Sequence, residues 1–226
     1  MSVRFSHAGA TAWQPRPVPR MVQPASMGTL HDFLLTRRSI RNYLPGPVPP
    51  ALVEELIAVA QQAPSAHNRQ PWRWAVLAER DARERLAHAM GEAWAHDLRA
   101  DGVPEERIEQ LLARSRQRIG GAPMAVLPCL SMADMDSYPD EARQLREWQM
   151  AVQSVALACQ TLMLAAHAVG LGSCWICAPI FCTDVVRASL ALPEEWEPQG
   201  LITLGWPADD GRDRPRHLTD QTVLWR

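Results

Sequence analysis

Apolar residues recur along the chain with two periods, and the alternation between them sketches the elements. Leu52, Val53, Leu56, Ile57 and Ala60 lie at helical spacing. Val48-Pro49-Pro50 leads into that helix, since proline is tolerated where the first N–H groups have no partner anyway, and Pro64 stops it. An earlier helix is predicted over His31 to Arg38, carrying Arg37 and Arg38 near its end. Trp72 to Leu77, rich in aromatic and branched residues, reads as a strand. From Asp81 to Arg118 the pattern is helical again, broken at Gly102-Val103-Pro104. Leu86, Met90, Ala93 and Trp94 form one apolar stripe there, and Ile108, Leu111 and Leu112 another. Ala125 to Leu130 and Gly200 to Gly205 are short apolar runs of buried-strand type, and Leu171 to Ile176 is a further strand. Thr183-Asp184 is predicted to cap a helix over Val185 to Leu190.

The longest element is a helix over Glu141 to Val169, ended by Gly170 as a left-handed cap. Met150 to Val169 holds no Asp, Glu, Lys or Arg, so its length fits a membrane span. Gln149, Gln153, Gln160 and His167 argue against that reading. They draw a polar stripe along one helix face, and a lone span in lipid offers no partner for the amides. A helix apolar over most of its surface belongs in a core or a large subunit interface.

The 226 residues can bury one sizeable core. With 47% hydrophobic and 21% charged residues the composition is that of a globular protein. A net charge of -2 gives no general attraction to nucleic acid or anionic membrane. All 23 basic residues are arginine. The absence of lysine excludes Schiff-base chemistry on a lysine and a Walker-type phosphate loop, and leaves any phosphate to guanidinium groups. Cys129, Cys159, Cys174, Cys177 and Cys182 are odd in number and lack a disulfide framework, so a reducing, cytoplasmic setting is expected. Cys174-x-x-Cys177 falls in or just after a strand, away from the helix start that redox pairs use, and too few further ligands lie nearby for zinc. These thiols are read as core residues and no metal site is expected. Residues 1–28, with four prolines and scattered arginines, read as an arm preceding a single domain over 29–226.

Two stretches carry chemistry. Ala63 to Trp72, Ala-Pro-Ser-Ala-His-Asn-Arg-Gln-Pro-Trp, is a donor-rich loop that suits a flat polar heterocycle, although by itself it reads as an ordinary turn-rich connection. Arg37-Arg38-Ser39-Ile40-Arg41 lies upstream; alone it would be a solvated basic face. Together, with the Pro-Val-Pro helix start between them, they resemble the beginning of the FMN-dependent nitroreductase superfamily, and the likeness extends over roughly residues 31 to 226. Ser137-Tyr138-Pro139-Asp140, Gly170 to Ile176 and Glu195 to Pro198 resemble one branch of it, the C-terminal reductase domain of the bifunctional enzyme that completes coenzyme F-420, a deazaflavin.

The resemblance implies an α+β fold, with a mixed, mainly antiparallel sheet of four or five strands flanked by helices, in an intertwined homodimer with the long helix at its interface. It implies FMN as cofactor. Arg37, Arg38, Ser39 and Arg41 would meet the phosphate and ribityl, closed by Arg214 and Arg216 from the C-terminal loop. Pro64, Ser65, Ala66 and Asn68 would reach the flavin held mainly by the other subunit. Trp175, Ile176, Cys177 and Ala178 would present backbone N–H groups to the ring, and Trp72 would lie near it. Many nitroreductases carry a glutamate and a glycine in place of Cys177 and Ala178.

Hydride chemistry resides in the cofactor, which agrees with the lack of a catalytic triad or paired carboxylates. The resemblance points to reduction of the dehydro precursor of coenzyme F-420, with Arg99, Arg114, Arg116 and Arg118 of the 81–118 insertion meeting its acidic groups. The insertion is either a lid or a solvated hairpin. The alternatives are a generic NAD(P)H-dependent nitro or quinone reductase, a flavin-fragmenting benzimidazole synthase, and a non-catalytic flavin or deazaflavin carrier.

Overall fold

The structure is a computed structural model and describes residues 27–226; the arm expected over 1–28 lies outside these apart from its last two residues. Helix α1 is Met27–Thr36. It ends before Arg37, so the arginines expected on its last turn fall in the segment that follows it. The body from Arg37 to Arg226 forms one compact unit.

That body is a five-stranded sheet between two helical layers. The strands are β1 (Trp72–Leu77), β2 (Met124–Leu130), β3 (Gly172–Ile176), β4 (Glu197–Pro198) and β5 (Leu201–Gly205). The order is β1-β2-β5-β3, with β4 also on β2, and all these pairings are antiparallel. A parallel bridge between Ser39 and Ser173 supplies the mixed character. Every residue of β2 is buried, because both sheet faces are covered. Met124, Val126 and Leu130 face a core shared with α2 (Pro50–Ala60) and α5 (Glu141–Ala168), while Ala125, Leu127 and Cys129 face α3 (Arg80–Ala100) and α6 (Thr183–Leu190). This is the period-two alternation of a strand read through two cores. Pro128, which has no N–H to give, lies where the neighbour of β2 changes from β5 to β4.

Helix α5 is long and apolar enough to cross a membrane by length and composition. Its buried face, Ala151, Ser154, Val155, Ala158, Cys159, Leu162 and Ala166, instead packs on the sheet and α2. Gln153 and Gln160 of the polar stripe are exposed. Gly170 takes φ +81 beyond the helix end and Leu171 N–H returns to Ala166 O, the closure expected of a glycine cap. Helices α3 and α4 (Glu105–Gly120) form the pair inserted between β1 and β2. Helix α6 begins at Thr183 itself, after Cys182, with no side-chain cap, so the predicted Thr183-Asp184 cap is not formed.

Candidate functional site

Residues 37–44 pair first with the start of β3, through Ser39 and Ile40, and then with residues 206–208, which follow β5. Ile40 N–H donates to Ser173 O at 2.9 Å, Leu44 N–H to Trp206 O at 2.8 Å, and Ala208 N–H to Asn42 O at 3.0 Å. Ile40, only 7% exposed, anchors the segment against Gly172, where an added methyl would come within 2.7 Å of it. Extended backbone turns alternate side chains apart, so burying Ile40 leaves Arg37, Ser39 and Arg41 to the other side.

The C-terminal loop folds back onto this segment. Gly211, at φ +73, makes the turn, and its N–H donates to Asp209 Oδ1 at 2.9 Å. Asn42 Nδ2 donates to Asp209 Oδ2 at 2.6 Å. The Asn42 bond, then the Gly211 bond, hold the Asp209 carboxyl below its ordinary range. Arg38 pairs with Asp213 at 3.0 Å. The result is a polar cavity of about 740 Å³ to which Arg37, Arg38 and Arg41 come from one end of the body, and Arg212, Arg214 and Arg216 from the other.

A second cavity, about 630 Å³, adjoins it. Its walls are mainly apolar: Met90 and Trp94 of α3, Leu111 of α4, Trp175 and Ile176 of β3, and Phe181 beyond. Asp97, Ser115, Cys174, Cys182 and Thr203 add polar atoms among them. Burial raises the Cys174 thiol above its ordinary range, while the guanidiniums of Arg41, Arg118 and Arg37 pull it down. Arg41, Arg114 and Arg118 line both cavities. Trp175 is held by a close approach: a side chain on Gly200 would run into its indole ring.

Of the residues singled out from the sequence, Arg37, Arg38, Ser39, Arg41, Arg214 and Arg216 surround the polar cavity, and Trp175, Ile176 and Ala178 the apolar one. Cys177 lines neither. It is exposed, not a core thiol, because the strand ends at Ile176 and Cys177 turns out at φ -80, ψ -11; Trp175 Nε1–H donates to its sulfur at 3.0 Å. Trp72 is 4% exposed and packed in the core, away from both cavities. Pro64, Ser65, Ala66 and Asn68 also line neither cavity. They form a surface loop in which His67, Asn68 and Gln70 all have positive φ, and Ala66 N–H donates to Ser154 Oγ at 3.2 Å. Arg99 and Arg116 are engaged on the surface with Glu105 and Glu92. Trp94, expected only as part of an apolar stripe, lines the apolar cavity, and Asn42, Tyr43, Thr203 and Phe181 line the two cavities without having been singled out from the sequence. For Thr203 the local signal was a threonine inside the apolar run Leu201 to Gly205.

In this α+β protein a guanidinium-rich cavity thus adjoins an apolar one at the edge of an antiparallel sheet. The Nitroreductase family profile matches residues 34–206, and the chain belongs to that family of oxidoreductases. A Thermus thermophilus protein named NADH dehydrogenase is 32% identical over 195 residues, covering 85% of this chain and 93% of that protein. Among solved structures, the FMN-dependent nitroreductase NfnB from Mycobacterium smegmatis, in complex with NADPH, is similar with a TM-score of 0.68 and 25% identity, covering 88% of this chain and 98% of that one. A Desulfovibrio desulfuricans protein described as a nitroreductase in complex with FMN shares the fold, with a TM-score of 0.67, 24% identity and coverage of 87% and 96%.

Proposed function

We propose that the protein is an FMN-dependent oxidoreductase that draws electrons from NAD(P)H and passes them to a small organic acceptor, working as a homodimer. One observation carries this reading: guanidinium groups from the two ends of the body converge on one cavity beside an apolar one. The residues present fit the cofactor. Arg37, Arg214 and Arg216 make no ion pair among the described residues, so their charge is free for a phosphate dianion, whose oxygens suit the guanidinium fork. Trp175 and Ile176 offer the flat apolar wall that an isoalloxazine ring needs. Bound FMN supplies two-electron hydride chemistry. The chain's own part is to hold the phosphate, present the ring, and keep water from its face through the apolar walls contributed by α3, α4 and Phe181. The FMN-dependent, NADPH-bound relative and the relative named NADH dehydrogenase support the same chemistry.

The loop from Pro64 to Asn68 completes the site from a second copy of the chain. Three left-handed non-glycine residues within four positions are strained, which is the kind of backbone a ligand or partner contact retains.

A nitro or quinone compound is the first reading for the acceptor. The dehydro precursor of coenzyme F-420 is the second, favoured by Arg114 and Arg118 at the junction of the cavities, whereas Arg99 and Arg116 are occupied elsewhere.

The test is direct. Purified protein should be yellow, release FMN on denaturation, and oxidise NADH or NADPH when a quinone or nitroaromatic is added. Colourless protein that ignores added FMN would overturn the assignment.

A further inference from the structure

We infer that the reactant meeting the flavin is anionic, and that Arg114 and Arg118 of α4 recognise its charge. The inference rests on the reading of the site as a flavin site. Three observations point the same way. The first is position. Four residues apart, the two arginines share one face of α4, and with Arg41 they are the residues that line both cavities. A group bound against Trp94, Leu111 and Trp175 therefore has these guanidiniums at one end of its chamber.

The second is freedom. Three other arginines of the helical pair are spent on carboxylates, Arg80 on Glu84, Arg99 on Glu105 and Arg116 on Glu92, and Arg83 is spent on the carbonyls of Leu77 and Ala78. Arg114 and Arg118 have no carboxylate partner among the described residues. Two exposed cations kept together without a counter-ion repel one another, and an anionic ligand relieves that repulsion.

The third is charge balance. Arg114 and Arg118 join three arginines from the segment after α1 and three from the C-terminal loop around the polar cavity, whose lining holds a single carboxylate, Asp209. A phosphate dianion neutralises about two of these charges. The cavity stays positive after the cofactor phosphate is bound and Asp213 has neutralised Arg38, and three of its arginines, Arg41, Arg114 and Arg118, also line the apolar chamber, where Asp97 is the single carboxylate. The chemistry selected is an apolar ring system bearing a sulfonate, carboxylate or phosphate. The 2′-phosphate of NADPH and an acidic group on the acceptor are two sources of the same charge.

The test uses the holoenzyme and the variants R114Q, R118Q and R114Q/R118Q, with R99Q and R116Q as controls. Flavin content is measured first. Affinities for naphthalene-2-sulfonate and for neutral 2-naphthol are then read from tryptophan fluorescence, because Trp94 and Trp175 line the chamber. Ratios of kcat/KM follow for a sulfonated against a neutral naphthoquinone, and for NADPH against NADH.

We expect the double variant to keep stoichiometric FMN and lose the preference for sulfonate over naphthol by roughly tenfold or more, the scale of a lost charge-assisted bond. R99Q and R116Q should keep that preference. A fall confined to the quinone ratio assigns the anion to the acceptor, and a fall confined to the NADPH ratio assigns it to the donor; either supports the inference. Unchanged preferences, or loss of FMN from the double variant, overturn it, the latter because the two arginines would then be holding the cofactor. Wild-type protein that binds no FMN defeats the flavin reading separately, and the sulfonate and naphthol affinities, which need no flavin, still decide the anion claim.

Discussion

The hydroxyl oxygens of Tyr43 and Thr203, 160 residues apart in sequence, lie 2.8 Å apart. Tyr43 belongs to the segment that displays the arginines and Thr203 to the middle of β5, so this contact fastens the polar cavity to the sheet. The same phenol lies 2.9 Å from Ile40 O, and its ring covers Gly205, where a methyl would come within 2.7 Å of Tyr43 Cδ1. Burial pushes the Tyr43 phenol well above its ordinary range, so it remains a neutral donor at any working pH.

Removing that hydroxyl should therefore be felt twice. Tyr43→Phe leaves the buried Thr203 hydroxyl without this partner, and we expect a stability loss of roughly 1–2 kcal/mol. The arginine segment loosens with it, so FMN should bind more weakly. Denaturant unfolding and an FMN titration check the two effects, and wild-type values in both would refute the anchoring role.

Arg37 and Arg216 stand at opposite ends of the body and line one cavity. Each charge-assisted bond to phosphate contributes roughly 1.5–3 kcal/mol, so Arg37→Ala or Arg216→Ala should each weaken FMN binding by roughly ten- to hundredfold. The double variant should purify colourless while keeping its fold, as read by circular dichroism. Retained stoichiometric FMN would remove both residues from the site.

Gly200 is the seat of the Trp175 indole. Its replacement by alanine sets a methyl where the ring lies, and overpacking of this kind costs roughly 1–3 kcal/mol. Because Trp175 lines the apolar cavity, Gly200→Ala should also shift tryptophan emission and lower turnover more than it lowers phosphate-dependent FMN affinity. Normal turnover in a stable Gly200→Ala protein would show that the position of Trp175 is unimportant.

The elements with a purely local cause were legible in the sequence, and those set by distant pairing were not. The seven apolar residues of β2, the long stripe of α5 and the glycine at its end each announce themselves within a few positions. The end of α1 does not. Arg37 and Arg38 continue a helical run on paper, but the chain leaves the helix because Ile40 pairs with the edge of β3, which is remote in sequence. The same holds for Cys177. Strand alternation predicts its direction only while the strand lasts, and a turn that begins one residue earlier puts the thiol in solvent. The two arginine clusters could be joined only through resemblance, since no local rule links residue 37 to residue 216.

Buried thiols set an alkaline limit on stability. Cys129 is fully buried, and desolvation, with a smaller contribution from Glu197, pushes its thiol from the ordinary 9.0 up to about 12. Between those values the unfolded chain has lost the proton that the folded chain keeps. The unfolded state therefore binds fewer protons, and stability falls as pH rises through this window, while below 9.0 the contribution is fully present. The slope is at most about 1.4 kcal/mol per pH unit per thiol. Cys159 is shifted in the same direction by burial and adds to it. Melting temperatures measured across this window should drop, and Cys129→Ala should flatten the drop. A Cys129→Ala profile parallel to wild type would rule out this origin.

Helix α5 has a second face that is exposed. Leu145 and Leu157 are 50% and 48% exposed on it, beside the exposed amides of Gln153 and Gln160. The buried face of the same helix carries Ser154, which receives the Ala66 N–H and passes its own hydroxyl to Met150 O at 2.7 Å. Helix and loop are thus tied together, and the strained loop should be presented to whatever the exposed face docks against. If a second copy docks there, Leu157→Glu buries an unpaired carboxylate in the interface, at a cost of several kcal/mol. Sedimentation should then show monomers at concentrations where wild type is dimeric, and FMN affinity should fall with dimerisation because each site lacks the loop from its neighbour. A wild-type monomer with full FMN affinity, or a Leu157→Glu dimer that binds FMN normally, would separate the loop from the site and leave the cofactor to a single chain.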